Sequence, residues 1–320
     1  MSAATFLLPA AARFGAQRWQ QDIARALGRA DVDLQTAGRR AQLARHVDLP
    51  EGSWPLAALS REVDVGDASV KGSAWLRADP AWLRPDINGV RLMGHGDTLG
   101  MTTADVGALL PDLQAMFAES GLALDAPSPT RWYLRLPADT CFPAFPDPSE
   151  ALGTDLAEHE DGGVDARRWR ALGNEAQILL HNHPWNATRA AAGKPPVNAL
   201  WFWGGGTLPD ARTDTHSRHA SVCSDDATLY ALASISASAG PLPAAWPDVR
   251  DAALFDLVGM RDLRRLQDDW LRPALAALAA GRIATLVLDD EDGCVRTLRR
   301  WHRLRLWRSA WVPPTPERDA

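Results

Sequence analysis

Four side chains able to donate to an anion stand close together in the sequence, in the pattern Asn186-x2-Arg189-x4-Lys194-x3-Asn198. Asn186 and Arg189 are three residues apart and share one helical face. The Gly193-Lys194-Pro195-Pro196 turn brings Lys194 back toward them. A guanidinium and an ammonium beside amide donors make a cradle for a small phosphorylated or carboxylate metabolite. His183, just upstream, joins the same candidate site. The competing reading is that Arg189 and Lys194 are surface charges and that the asparagines brace loops.

Imidazoles form a second group. His181 and His183, with Asp214, His216 and His219 further on, have the donor types of a metal site. Residues two apart at a helix end point in different directions, so solvated or capping histidines are the default. Gly204-Gly205-Gly206 follows an apolar strand, but a phosphate loop must open a helix. Thr207-Leu208-Pro209-Asp210 carries no such signal, and the glycines read as a tight turn or a close backbone approach. The C-terminal run Arg296, Arg299, Arg300, Trp301, Arg303, Arg305, Trp307, Arg308 mixes cations with aromatics. It could take an acidic partner or single-stranded nucleic acid. The alternation of Leu304 and Leu306 with Arg303 and Arg305 also fits a half-exposed edge strand kept soluble by charge.

The elements that must position these residues alternate between apolar strands and helices, the pattern of α/β layering. Ala4 to Leu8 reads as a buried strand, followed by a helix from Gly15 to Leu27 and a helical piece from Arg39 to His46. Pro50 to Asp86 is punctuated by Pro and Gly and reads as short elements joined by loops. Thr102 or Thr103 caps a helix whose Val106, Leu109, Leu110, Leu113 and Phe117 share a face, with a kink or restart at Pro111. Arg131 to Leu136 alternates as a strand does. Thr140 to Gly163 reads as a long loop, and Asp165 caps a helix that ends before Pro184. A short helix runs from Asn186 to Gly193, a strand from Val197 to Trp203, a small apolar stretch from Ala227 to Ala237, and a long helix from Leu254 to Ala280. Ile283 to Leu288 is a buried strand, and Asp292-Gly293 turns it into a hairpin with Cys294–Trp307.

The 320 residues allow one large domain or two moderate ones. A hydrophobic share of 46% and a charged share of 23% are ordinary for a globular chain. A net charge of −6 argues against a dedicated nucleic-acid binder. Cys141, Cys223 and Cys294 are odd in number and far apart, so a reducing, cytoplasmic setting is expected and a zinc ribbon is not. No apolar run is long enough to span a bilayer, and no membrane partner is expected.

The segment Asn174-Glu175…His183-Pro184-Trp185-Asn186-x2-Arg189-x3-Gly193-Lys194-Pro195-Pro196-Val197-Asn198 into Trp203-Gly204-Gly205-Gly206 resembles a signature of the archaeal-type cofactor-independent phosphoglycerate mutases. These are members of the alkaline phosphatase superfamily. It is similar, more closely still, to the bacterial RpfE-type regulatory proteins. Weaker likeness extends over residues 74 to 240, through Trp75–Pro80, Thr102–Glu119, Arg131-Trp132-Tyr133 and Gly153-Thr154-Asp155…His159. The resemblance implies a phosphatase-like α/β core with two divalent metals such as manganese and a serine that carries the phosphoryl group. Pro50-Glu51-Gly52-Ser53 resembles the nucleophile's setting and singles out Ser53. The metal ligands depart from the pattern. Phe6-Leu7-Leu8 runs into Pro9-Ala10 where the family has Asp-Gly, and Leu288 runs into Asp289-Asp290 where it has Asp-His. Asp256 is followed at the expected histidine position by Met260.

These readings lead to a degenerate alkaline-phosphatase-like α/β core, 1–73 plus 241–320, with an inserted α+β domain over 74–240. The leading functional expectation is a non-catalytic, phosphoglycerate-mutase-like regulatory protein without a cofactor, its protein partner unidentified. In it Asn186, Arg189, Lys194, Asn198 and His183 hold a small anion or brace its loop. The alternatives are an active two-metal mutase or phosphatase using Ser53 with Asp289, Asp290, His216 or His219, and an adaptor acting through the arginine-rich C-terminal strand.

Overall fold

A computed structural model of the chain describes residues 2–47, 54–66, 70–86, 89–152, 164–208, 218–247 and 249–312. In chain order its strands are β1 (Ala3–Leu8), β2 (Asp31–Leu34), β3 (Ser73–Asp86), β4 (Gly89–His95), β5 (Ala123–Ser128), β6 (Arg131–Pro137), β7 (Ala199–Thr207), β8 (Ser221–Cys223), β9 (Ser238–Gly240), β10 (Ala253–Asp256), β11 (Thr285–Asp290) and β12 (Cys294–Arg299). The helices are α1 (Gln21–Gly28), α2 (Arg39–Ala44), α3 (Leu56–Val65), α4 (Thr103–Glu119), α5 (Pro148–Ala151), α6 (Val164–His181), α7 (Trp185–Ala191), α8 (Ala227–Ser236), α9 (Leu263–Arg265) and α10 (Arg272–Ala280). A π-helical turn, Leu266–Leu271, joins the last two. Among the described residues no helix is long and apolar enough to cross a membrane.

The chain forms two compact units, 1–49 with 212–320, and 50–211. Both junctions differ from the expected 73/74 and 240/241. Helix α3 packs on β7 and β3 and therefore belongs to the second unit, whereas β8 pairs with β10 and belongs to the first.

The first unit is built on a seven-stranded sheet of order β2-β12-β11-β1-β10-β8-β9. Its strands are parallel from β11 to β9, and β12 and β2 add antiparallel at one edge. A parallel strand covered on both faces reads as a near-continuous apolar run, as Ala3–Leu8 does apart from the buried Thr5. Phe6 lies at the centre of the core, edge-on to Trp246, Phe255 and Trp270. Residues 253–256 correct the long helix expected from Leu254. They form β10, buried along its whole length beside β1, because a slot between two strands outweighs helical periodicity. The C-terminal strand also stops early. β12 ends at Arg299, and Arg300–Leu304 is a 3₁₀ turn.

The second unit carries an antiparallel sheet of order β4-β3-β6-β5, with β7 also paired to β3. The short elements joined by loops expected from Pro50 to Asp86 include α3 but end in the fourteen-residue β3. Pro80 falls between the segment of β3 paired with β6, which ends at Arg77, and the segment paired with β4, which starts at Ala81. A missing N–H is tolerated in such a gap. Strand alternation sends Ala74, Leu76 and Ala78 into the main core with Leu109, Leu113, Phe117 and Trp169. The opposite face of β3 packs Trp75 with Ala57, Ala58 and Tyr133, and seats the buried Arg77–Asp79 pair at 2.7 Å. Helix α4 runs unbroken through Pro111. Both Pro111 and Gly107, the carbonyl partner it cannot serve, face water. The three glycines belong to β7 itself. A Cβ on Gly206 would lie 2.7 Å from Pro55 and one on Gly204 3.0 Å from Leu56, so their bareness lets the start of α3 close onto the strand.

Phe6→Ala removes the ring at the centre of the first core and is expected to cost about 3–5 kcal/mol, read as a shift in a urea unfolding midpoint.

Candidate functional site

Ligands in parallel α/β sheets bind beyond the carboxyl ends of the strands, and there the first unit gathers its buried charges. Leu7 of β1 is level with Asp256 of β10 on one side and Asp289 of β11 on the other. Residues level in neighbouring parallel strands point to the same face, so both carboxylates face the same way. Asp290, one residue on, points to the other face.

Helix α2 lies over these strand ends and carries Arg39 and Gln42 on one turn, with Arg45 and His46 at its end. Arg45 forks onto Asp289, with Nε 2.8 Å from Oδ2 and Nη2 2.7 Å from Oδ1. His46 Nε2 is 2.7 Å from the same Oδ2. Arg39 Nη2 donates to Asp256 Oδ2 at 2.7 Å, and the Ser224 hydroxyl donates to the same oxygen at 2.8 Å. Gln42 donates to the carbonyls of Leu8 and Asp289, tying the helix to two strand ends. Asp290 accepts from the Cys294 amide and from Arg296, each at 2.8 Å. Met260 packs against the apolar core.

Burial alone would raise the pKa of Asp289, but the bonds from Arg45 and His46 outweigh it and hold the group below the ordinary carboxylate value. Asp290 goes the other way, pushed up by burial more than Cys294 and Arg296 lower it. His46 Nδ1 meets His219 Nε2 at 3.2 Å. Burial, then the neighbouring His46 and Arg218, lowers the pKa of His219 to about 4, so this ring is neutral at physiological pH. Among the described residues no three His, Cys, Asp or Glu side chains group as a metal site requires. Ser53, Asp214, His216 and the Asp165 side chain lie outside the described residues.

The asparagine, arginine and lysine cluster lies in the second unit, around one buried carboxylate that sequence reasoning overlooked. Thr102 and Asp105 form the capping box of α4. Asp105 also accepts from Trp185 Nε1 at 2.8 Å, lies 2.8 Å from Arg189 Nη1 and lies 3.6 Å from Lys194 Nζ. Arg189, 1% exposed, donates further to the carbonyls of Pro195 and Leu99, and Lys194 to that of Gly100. Asn186 bonds to Leu180 and to both backbone groups of Val197. Asn198 bonds to both backbone groups of Leu83. His183 Nδ1 accepts from the Trp185 amide, and its Nε2 is 3.6 Å from Asp112. Arg189, Lys194 and Asn186 are thus brought together, with Asn198 on the neighbouring strand edge; the polar atoms of Arg189, Asn186 and Asn198 are turned to the chain, while the Lys194 side chain stays 32% exposed. Burial opposes ionisation of Asp105, yet the bonds from Thr102, Trp185 and Arg189 hold its pKa far below the ordinary value. A separate cavity of about 190 Å³ in this unit is walled by Leu83, Phe145, Trp169, Trp201 and Phe202, with Asn174 and Gln177 along it. Its lining is mainly apolar.

No protein-family model matches the chain. The probable 2,3-bisphosphoglycerate-independent phosphoglycerate mutase of Geobacter sulfurreducens is 28% identical over 158 residues, 49% of this chain and 38% of that protein. The 2,3-bisphosphoglycerate-independent phosphoglycerate mutase of Methanosarcina barkeri is 34% identical over 62 residues, 19% of this chain and 16% of that protein. The chain is similar to phosphoglycerate mutases. It spans well under half the length of these curated relatives. Among solved structures, the PH0037 protein from Pyrococcus horikoshii gives a TM-score of 0.42 at 13% identity, covering 92% of this chain and 86% of that one. The cofactor-independent phosphoglycerate mutase from Thermoplasma acidophilum gives 0.41 at 14%, covering 93% and 90%.

Two measurements test the electrostatics. Asp105→Asn leaves the Arg189 guanidinium buried without its counter-charge and is expected to cost about 3–5 kcal/mol. Because the folded pKa of Asp105 is depressed, its contribution is complete above about pH 4 and fades as the pH falls below that. The variant should therefore lose less stability than the parent on acidification through that range. His219 carries the opposite linkage. Its folded pKa of about 4 lies below the ordinary 6.5, so the unfolded chain takes the proton first and stability drops as the pH falls from 6.5 toward 4. His219→Gln should flatten that limb of a stability–pH curve.

Proposed function

We propose that this chain is a phosphoglycerate-mutase-like protein that has given up metal-dependent turnover and serves in a regulatory capacity. One observation carries the reading: the carboxylates at the strand tips are paired with arginines of the chain itself. Asp289 has both oxygens engaged by Arg45, and Asp256 is held by Arg39 at 2.7 Å. A divalent ion at either carboxylate would lose those oxygens to a guanidinium and sit beside its positive charge. Asp289 and Asp290 face opposite sides of the sheet, so they do not converge on one ion. Among the described residues the donor set therefore does not fit a pair of divalent metals. The likeness to the RpfE-type regulatory proteins supports the regulatory setting.

The same reading gives Asn186, Arg189, Lys194 and Asn198 the part of braces. Their donors hold the start of α4, the end of α7 and the strand edges in register, which leaves the small anionic metabolite without a cradle among them.

The test is metal analysis of the purified chain together with a phosphoglycerate mutase assay in added manganese. The expected result is no stoichiometric metal and no turnover above background. Two tightly bound ions, with activity abolished by Ser53→Ala, would overturn the proposal.

A further inference from the structure

Ten large apolar side chains are exposed among the described residues, and five of them fall between 301 and 312. Leu304 is 66% exposed, Leu306 76% and Trp307 77%, with Trp301 and Val312 also more than half in water. Had 303–306 continued as an edge strand, one leucine-bearing face would lie against the sheet. Because the chain instead enters a 3₁₀ turn at Arg300, both leucines point outward. The turn is fixed in place, since Arg299, His302 and Arg305 all reach Asp31 at the start of β2. From Cys294 to Val312 the sequence has six arginines and no carboxylate. Arg300, Arg303 and Arg308 are exposed and make no ion pair among the described residues.

We propose that this basic, apolar segment docks the protein on an anionic lipid surface. The observation is independent of whether the chain is catalytic. Charge complementarity calls for an anionic occupant, and three features select a bilayer interface. Cations and apolar groups interleave from Arg303 to Arg308, with no more than two apolar residues in a row, so the patch has no charge-depleted centre of the kind protein interfaces build. A second copy related by a two-fold axis would set one arginine cluster against another. A nucleic acid would use the arginines and tryptophans but leave Leu304, Leu306 and Val312 in water. In the headgroup layer guanidinium meets phosphate while tryptophan and leucine enter the acyl boundary. The acidic remainder of the chain does not forbid this, because charges beyond about 8 Å are largely screened at physiological salt.

The experiment is co-sedimentation of the full chain with vesicles of phosphatidylcholine, alone or with about one third phosphatidylglycerol. Association is expected with the anionic vesicles only, weakening as salt is raised. Each arginine brought to the surface contributes about 5-fold, so Arg303→Glu with Arg308→Glu should reduce partitioning by at least about 20-fold. Leu306→Ser with Trp307→Ser should reduce it about 10-fold or more. These positions are exposed, and unchanged circular dichroism and melting would confirm that the variants fold. The exposed pair Arg167→Glu with Arg168→Glu, in the other unit, makes the same charge change and should leave partitioning within about 2-fold. The proposal is overturned by no association with anionic vesicles at low salt, by equal loss in the control pair, or by binding that survives both patch variants. Equally tight binding to polyglutamate would overturn it in favour of an acidic protein partner. A concentration-dependent dimer dispersed by Leu306→Ser with Trp307→Ser, without vesicle binding, would overturn it in favour of self-association.

Discussion

A carboxylate buried at the end of a parallel strand must meet a positive charge, because the alternative is protonation or several kcal/mol of uncompensated desolvation. The first unit answers this at Asp289 and Asp256 with the chain's own guanidiniums. A guanidinium is a permanent cation whose planar fork matches a carboxylate at two points. A bound metal ion can be exchanged or coordinate a substrate oxygen, but an arginine tethered to α2 can do neither. The pairing thus fixes the placement of α2 over the sheet.

The second unit applies the same device to a different end. Asp105 stands at the third position of α4, where a carboxylate suits the exposed amides of a helix N-terminus. Arg189 brings α7 to it and extends to the carbonyls of Leu99 and Pro195. One ion pair therefore closes three chain segments that have no shared strand. Asn186 and Asn198 extend the brace by standing in for backbone partners at Val197 and Leu83. The cluster's polar residues serve the geometry of the turn they occupy.

Much of this architecture is written in local pattern. The apolar run of β1, the cap and stripe of α4, the alternation of β6 and the Asp292-Gly293 hairpin are each set by neighbours within a few residues, and each is legible for that reason. Residues 253–256 are not, since only the flanking strands β1 and β8 make them a strand. Nor is β3, whose prolines read as breaks until the gap between two partner strands is known. Arg189 looked available because sequence shows a cation but not Asp105, eighty-four positions away, that neutralises it. Arg39, Arg45 and His46 went unread as site residues for the same reason. Their signal was faint: Gly38 followed by Arg39, Gln42 and Arg45 or His46 at helical spacing, which puts guanidinium, amide and imidazole on one face.

That spacing bears on how firmly the strand-tip arrangement is locked. Arg39, Gln42 and Arg45 do three jobs on one short helix and its cap, and each reaches a strand end more than two hundred residues away in sequence. Removing a single arginine would bare a carboxylate and would also release part of α2. A buried pair broken on one side leaves the other charge stranded, and Arg39 also donates at 2.9 Å to Gln42, which in turn donates to the backbone carbonyl of the Asp289 that Arg45 holds. The chemistry and the packing have become one constraint. The side chains that engage the strand-tip carboxylates are also the ones that hold α2 onto the strand ends.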